Sequence, residues 1–324
     1  MGLLSGSASV SRFNIVNQPE DPDFERVRFT DIQPGSELRE SRGIIPIEPD
    51  APFEIGAQRY AFRVRIDKLS ADPTAVRERL KQLVKTEIET SGLPFVGPKK
   101  RKKLRELAEE ELILRAVPRS KIIEACVDGD ILYVASTAKN YLGTVLSLLR
   151  QIGIIAEAKT PWGDRGEEDV ESEIVETYEP GEAVLGCRFL LAMLEDREVL
   201  FEPESGMVRL KTHQAKVALT GGILPELYRY VEAGAELLSA KLLLDEMTFR
   251  LDALSFRVNA LRIETERHDH WTDLLDERLE KIASVYDRLD DKYGALTTQL
   301  RRSGRPTVQS DAEGRVLNFR ESSG

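Results

Sequence analysis

The chain has 324 residues, 41% hydrophobic and 31% charged, a balance that excludes a disordered or low-complexity polymer and leaves room for two or three compact units. No window reaches the run of about 20 apolar residues that a bilayer span needs, and Met1 to Val10 lacks the charged-then-apolar order of a secretory leader, so a cytosolic protein without a membrane partner is expected. The net charge of −10 excludes a uniformly basic coat, although a polyanion needs only a local concentration of Lys and Arg within about one Debye length of its phosphates.

In chain order, residues 1–10 read as a flexible start. Arg12 to Val16 reads as a strand, followed by irregular Pro-rich segments such as Pro34 to Pro52. Tyr60, Phe62, Val64 and Ile66 alternate with Ala61, Arg63, Arg65 and Asp67, the period-2 pattern of a half-buried strand. Asp72 before Pro73 signals a helix start, and Val76, Leu80, Leu83, Val84 and Ile88 repeat at helical spacing until Gly92 and Pro94. A second helix is predicted from Lys99 to Ala116, with Leu104, Leu107, Leu112 and Leu114 for contacts, and the short connection makes an antiparallel helical hairpin. Ile122 to Val127 and Ile131 to Ala135 flank Asp128-Gly129-Asp130 as a β-hairpin, and Ala138 to Gln151 is an amphipathic helix.

From Asp164 to Glu182 there are nine acidic residues and one arginine, a solvated boundary between two halves. Beyond it, short strands are expected around Arg188 to Leu194, Val199 to Glu202 and Met207 to Lys211, with a turn at Glu204 to Gly206. A helix follows over Leu224 to Ala233, ended by Gly234, and then strands over Leu237 to Met247 and Phe249 to Ile263. Thr272 to Arg302 is a helix whose Leu275, Leu279, Ile282, Tyr286, Leu289, Tyr293, Leu296 and Leu300 form a heptad seam. Such a seam either covers its own sheet or pairs with a second copy, and the two tyrosines favour the first. The segment from Ser303 onward is polar and aperiodic, a flexible tail. Strands and helices do not alternate as a parallel crossover sheet requires, so the fold class is α+β.

Six cations within seven residues, Lys99, Lys100, Arg101, Lys102, Lys103 and Arg105, are the sharpest local feature. So much like charge opposes the helix it starts, which points to phosphate binding; the alternative is a solvated face compensated by Glu106, Glu109, Glu110 and Glu111. Arg63 with Arg65, and Arg209 with Lys211 beside His213, each share a strand face, where cross-strand carboxylates explain them equally well. His268-Asp269-His270, near Glu264, Glu266 and Asp273, superficially resembles a metal site, but no third ligand has a recognisable spacing, and a polar loop capping the last helix is the default. Cys126 and Cys187 sit in apolar runs and read as buried thiols. Thr220-Gly221-Gly222 is not a phosphate loop, and neither a nucleophile elbow nor an H-E-x-x-H pair occurs. No catalytic constellation, cofactor or metal is therefore expected.

A collinear series over residues 10 to 302 resembles the recombination-associated RdgC family. It comprises Arg42-Gly43-Ile44-Ile45-Pro46, the strand and helix from Ala61 to Ile88, Leu114-Arg115-Ala116-Val117-Pro118-Arg119, the hairpin with Val127 to Val134, Leu146-Ser147-Leu148-Leu149-Arg150, Val208-Arg209-Leu210-Lys211, Val231-Glu232-Ala233-Gly234 and Lys241-Leu242-Leu243-Leu244-Asp245. The resemblance implies a bacterial, nucleoid-associated, non-enzymatic protein. It would form a ring-shaped homodimer that binds double-stranded DNA without sequence preference and limits access of RecA. It further implies a central sheet domain (residues 11–71 with 118–163), a protruding helical tip (72–117), an acidic linker (164–186) and an α+β base (187–302). Arg209 and Lys211 match the basic contact segment of the base, with Thr212 and His213 where members can carry lysine and glutamine; Lys121 stands where an aromatic residue can serve the tip contact. The expected DNA contacts are Lys99, Lys100, Arg101, Lys102, Lys103, Arg119, Arg209, Lys211, His213 and Lys241. The alternative is a protein-interaction module that oligomerises through the heptad helix without nucleic acid. A third reading, a metal-dependent nuclease, lacks a carboxylate cluster.

Overall fold

The computed structural model describes residues 2–33, 38–56, 58–114, 116–162, 184–201, 207–212, 215–221 and 224–302, and the side chains of 184, 185, 224 and 296–302 are not among what it describes. The acidic stretch from Asp164, the turn at 204–206, Arg115, His213 and the tail from Ser303 lie outside those residues. Among the described residues, thirteen strands in a largely antiparallel sheet and six helices make the chain α+β, as the sequence predicts. It divides into two compact units, one of Met1–Val16, Cys126–Leu142 and Ala156–Gly324, the other of Asn17–Ala125 and Gly143–Ile155.

In the second of these units, β2 (Glu40–Ile45) and β3 (Glu54–Gly56) pair with β4 (Arg59–Lys68), and β5 (Arg119–Asp128) follows β4 in the sheet order. Strand β2 lies within the stretch expected to be irregular. Its Gly43 is the reason: a Cβ there would collide with the backbone of Phe29, whose N–H donates to Ile44 O at 2.9 Å. Tyr60, Phe62, Val64 and Ile66 of β4 are buried as the alternation predicts, but so are Ala61 and Asp67 of the opposite set, leaving Arg63 and Arg65 half-buried. Phe24 stacks on Phe53 at 4.8 Å and meets Tyr60 and Phe62. Arg63 pairs with Glu124 at 3.0 Å, and Arg65 with Asp67 at 2.6 Å while lying over Phe29, so these two arginines are structural.

Helix α1 (Pro73–Ser91) starts as expected, Asp72 accepting from Thr74 N, and stops at Gly92 in the left-handed region (φ 67°). Helix α2 (Pro98–Ile113) ends three residues before Ala116. The pairs Arg79–Glu111 (2.7 Å) and Lys100–Glu87 (3.2 Å) join the two as an antiparallel hairpin. Only Val76, Leu104 and Ala108 of the hairpin are buried, so little core holds it. Helix α3 (Lys139–Gln151) buries Leu142, Val145, Leu148 and Leu149.

In the other unit the strand order is β10 (Lys216–Thr220), β9 (Met207–Lys211), β11 (Glu236–Leu244), β12 (Met247–Asp252), β13 (Arg257–Leu261), β1 (Ala8–Asn17) and β6 (Ile131–Val134); β7 (Ile155–Ala158) pairs with β1, and β8 (Leu200–Phe201) with β11. The segment Arg188 to Leu194, expected as a strand, is the helix α4 (Val184–Glu195). A short apolar run does not separate the two periods; here Gly186, Phe189, Leu190 and Met193 are buried at spacings of three, one and three, one side of a helix. Gly186 admits no side chain, because a Cβ would strike Ala253 O. Two strands were expected over 237–263 and three exist. The chain reverses at Asp245–Glu246, both with positive φ (46° and 65°), and again between β12 and β13. Strand β10 had no forewarning in the sequence. Helix α5 spans Leu224–Glu232, one residue short of the expected end, and Gly234 takes φ 83°. Both cysteines are buried, and no disulfide joins them.

Helix α6 (Trp271–Arg302) organises this unit. Its seam residues Leu275, Leu279, Ile282, Tyr286, Leu289 and Tyr293 are buried within their own unit. The fully buried Tyr286 hydroxyl donates to Val10 O (2.8 Å) and accepts from Val258 N (3.3 Å), bridging β1 and β13. Burial pushes the Tyr286 pKa up strongly, and that of Tyr133 to about 12. The guanidinium of Arg12, 5% exposed, lies 4.5 Å from the Tyr286 ring centre and pairs with Asp290 at 2.8 Å. Lys292 donates to Asp196 (2.7 Å) and Glu198 (2.9 Å), holding the turn after α4 against α6. Burial opposes its charge, but the two carboxylates outweigh that and raise its pKa. The expected flexible start is held as well: Arg278, 3% exposed, donates to the carbonyls of Leu3 (2.5 Å) and Gly6 (2.7 Å), and Leu3 is buried. Small polar residues leave those carbonyls open to a guanidinium. Among the described residues no helix is long and apolar enough to cross a membrane.

Tyr286→Phe keeps the ring and leaves a buried carbonyl and N–H each short of a partner, at a cost of about 1–3 kcal/mol. The expected outcome is a lower urea midpoint with an unchanged m-value.

Candidate nucleic-acid interface

Strand alternation sends Val208, Leu210, Leu237, Ala240, Leu242, Leu244, Phe249, Leu251 and Val258 into the core of this unit. The intervening residues share the opposite face, and the register fixes their neighbours, since residues directly opposite in an antiparallel pair lie on one side. In one row Lys216 stands opposite Lys211, and Lys211 opposite Glu236. In the next, Arg209 is opposite Ser239, Ser239 opposite Asp252 and Asp252 opposite Arg257. In a third, Lys241 is opposite Arg250 and Arg250 opposite Asn259. These rows gather six cations against two carboxylates.

Their surroundings differ. Arg209 and Lys216 are exposed, while Lys211, Lys241, Arg250 and Arg257 are half-buried. Lys211 reaches Glu236 at 3.8 Å. Arg257 donates to Thr137 O (2.9 Å), and burial lowers its pKa. Thr137 in turn donates to Asn259 Oδ1 (2.7 Å), so it ties together two alternate residues of β13. Like charges directly opposite oppose strand pairing, yet the face contains two such pairs, Lys211 with Lys216 and Lys241 with Arg250. A face of this kind attracts a polyanion through its summed field.

The structure thus brings together three of the expected contact residues, Arg209, Lys211 and Lys241. Sequence reading missed Lys216, Arg250 and Arg257, because β10 was unrecognised and β12 and β13 were read as one strand; cations at alternate positions of strands were the available signal. Lys99, Lys100, Arg101, Lys102 and Lys103 are exposed at the start of α2, and Arg119 is exposed at the start of β5, all in the other unit.

The histidine segment before α6 belongs to a different arrangement. His268 Nε2 hydrogen-bonds Glu277 Oε2 (2.6 Å), and Glu277 also accepts from Lys281 Nζ (2.5 Å) and Glu266 N (3.2 Å). The loop is thereby tied to the helix. Among the described residues no three His, Cys, Asp or Glu side chains converge as a metal-holding group. No protein-family model matches the chain, and no curated protein is significantly similar to it.

Arg250→Glu creates an opposite-charge pair with Lys241 and is expected to stabilise the protein by ~0.2–1 kcal/mol in chemical denaturation. At Glu277 the hydrogen bond from Lys281, then that of His268, brings the pKa from the ordinary 4.5 to about 2. A depressed carboxylate contributes stability above its unfolded pKa and loses it as pH falls through the folded one. The stability difference between wild type and Glu277→Gln is expected to shrink as pH falls from 4.5 towards 2, read from urea midpoints at each pH.

Proposed function

We propose that the chain is a non-enzymatic, sequence-independent binder of double-stranded DNA that holds the duplex by its phosphates on the basic face of β9 to β13. The observation that carries this reading is the juxtaposition of Lys211 with Lys216 and of Lys241 with Arg250 across strands. Phosphate relieves both repulsions, and release of condensed counterions adds affinity that is blind to base sequence. With a net charge of −10, the acidic surfaces of the molecule repel a duplex and favour its basic ones. Lys99 to Lys103 and Arg119 add cations that strengthen attraction at a distance.

The resemblance to the RdgC family supports the same reading and extends it. It implies a ring-shaped homodimer, association with the bacterial nucleoid in the cytoplasm, and inhibition of recombination by limiting RecA access to DNA. No cofactor enters this scheme.

Affinity for two duplexes of unrelated sequence, measured by fluorescence anisotropy over a salt series, is expected to be equal. The slope of log affinity against log salt should lose about one unit for each phosphate-contacting cation removed by Arg209→Glu or Arg250→Glu. Strong preference for one duplex, or affinity indifferent to salt, overturns the proposal.

A further inference from the structure

The turn joining α1 to α2, Gly92-Leu93-Pro94-Phe95-Val96-Gly97, exposes Leu93 (59%) and Phe95 (71%) at the apex of the helical hairpin. Directly behind it come Lys99, Lys100, Arg101, Lys102 and Lys103, all exposed. Successive helical residues turn by about 100° and rise ~1.5 Å, so these five cations encircle the helix axis within roughly 6 Å of its length. Lys100 turns to Glu87 (3.2 Å) and Lys102 to Glu106 (3.9 Å), whereas Lys99, Arg101 and Lys103 have no ion-pair partner among the described residues. The apex is therefore an apolar point with a collar of cations at one level.

Two polyanionic surfaces compete for such an apex, and the exposed apolar side chains separate them. A duplex offers phosphates to the collar, but apolar cover for Leu93 and Phe95 only where its bases are unstacked. An anionic bilayer offers both without that cost. Its acyl boundary takes apolar side chains to a depth of about 5–10 Å, and its phosphate head groups form a plane at the level of the collar.

We propose that the hairpin apex docks end-on onto an anionic lipid surface, with Leu93 and Phe95 inserted and Lys99, Arg101 and Lys103 on lipid phosphates. This is surface attachment rather than a span. The proposal goes beyond DNA binding and does not depend on it.

The test is co-sedimentation of the full chain with vesicles of phosphatidylcholine alone or mixed with phosphatidylglycerol, at low and high salt. Binding is expected only to the mixed vesicles and should weaken with salt. Leu93→Ala/Phe95→Ala should reduce it about tenfold or more, because burial of each such side chain is worth about that factor, while duplex affinity, measured in parallel, stays unchanged. Phe95→Trp should show a blue-shifted emission on the mixed vesicles. Failure to sediment with anionic vesicles, undiminished binding by Leu93→Ala/Phe95→Ala, or loss of duplex affinity in that variant overturns the proposal, the last outcome assigning the apex to nucleic acid.

Discussion

The structure of the larger unit depends on one buried polar junction, where α6 meets β1 and β13. Tyr286 reaches the backbone of both strands from the helix, and Arg12 lies against its ring while pairing with Asp290. A guanidinium at 5% exposure is costly unless its charge is matched and its hydrogen bonds are made. Asp290 and the tyrosine ring match the charge, while Nε is left without a hydrogen-bond partner among the described residues; they do so only when the helix sits in one register, so the junction fixes rotation and depth as apolar seam residues alone do not. Glu277 and Lys292, nearer the two ends of the helix, tie it to the preceding loop and to the turn after α4.

That placement gives the sheet its two characters. One face of β9 to β13 is buried with α4 and α6, supplying the core. The other is left to polar residues, and antiparallel register decides which of them become neighbours. Single arginines spaced along three or four strands are unremarkable in isolation; register turns them into rows and sets cation against cation. The fold thus carries a modest penalty on this face, offset by the apolar face, and that is the kind of local inconsistency expected where a surface serves binding.

Much of this was legible in the sequence. The N-cap Asp72, the stop at Gly92, the buried apolar set of β4, the Asp128-Gly129 turn and the heptad seam of α6 each rest on a local rule, and each appears where the rule puts it. Local rules failed at α4, whose apolar run was too short for its period to be read, and at β2, where Gly43 answers to a chain segment fourteen residues earlier. The candidate site was half legible. Arg209 and Lys211 stood out as cations on one strand face and Lys241 entered with the resemblance, but Lys216, Arg250 and Arg257 acquire meaning only through pairing across turns, one of them at Asp245 and Glu246 with positive φ, that composition does not mark. The resemblance reached the same base segment through Arg209 and Lys211 without supplying its cross-strand partners.

The bond from Tyr286 to the carbonyl of Val10 joins residues 276 positions apart, and Arg278 reaches back equally far to the first turn of the chain. During synthesis at about 5–20 residues per second, the amino-terminal strand therefore emerges on the order of 14 to 55 s before the helix that secures it is made. Its apolar edge spends that interval without its final cover. The larger unit is one that completes itself only late in translation.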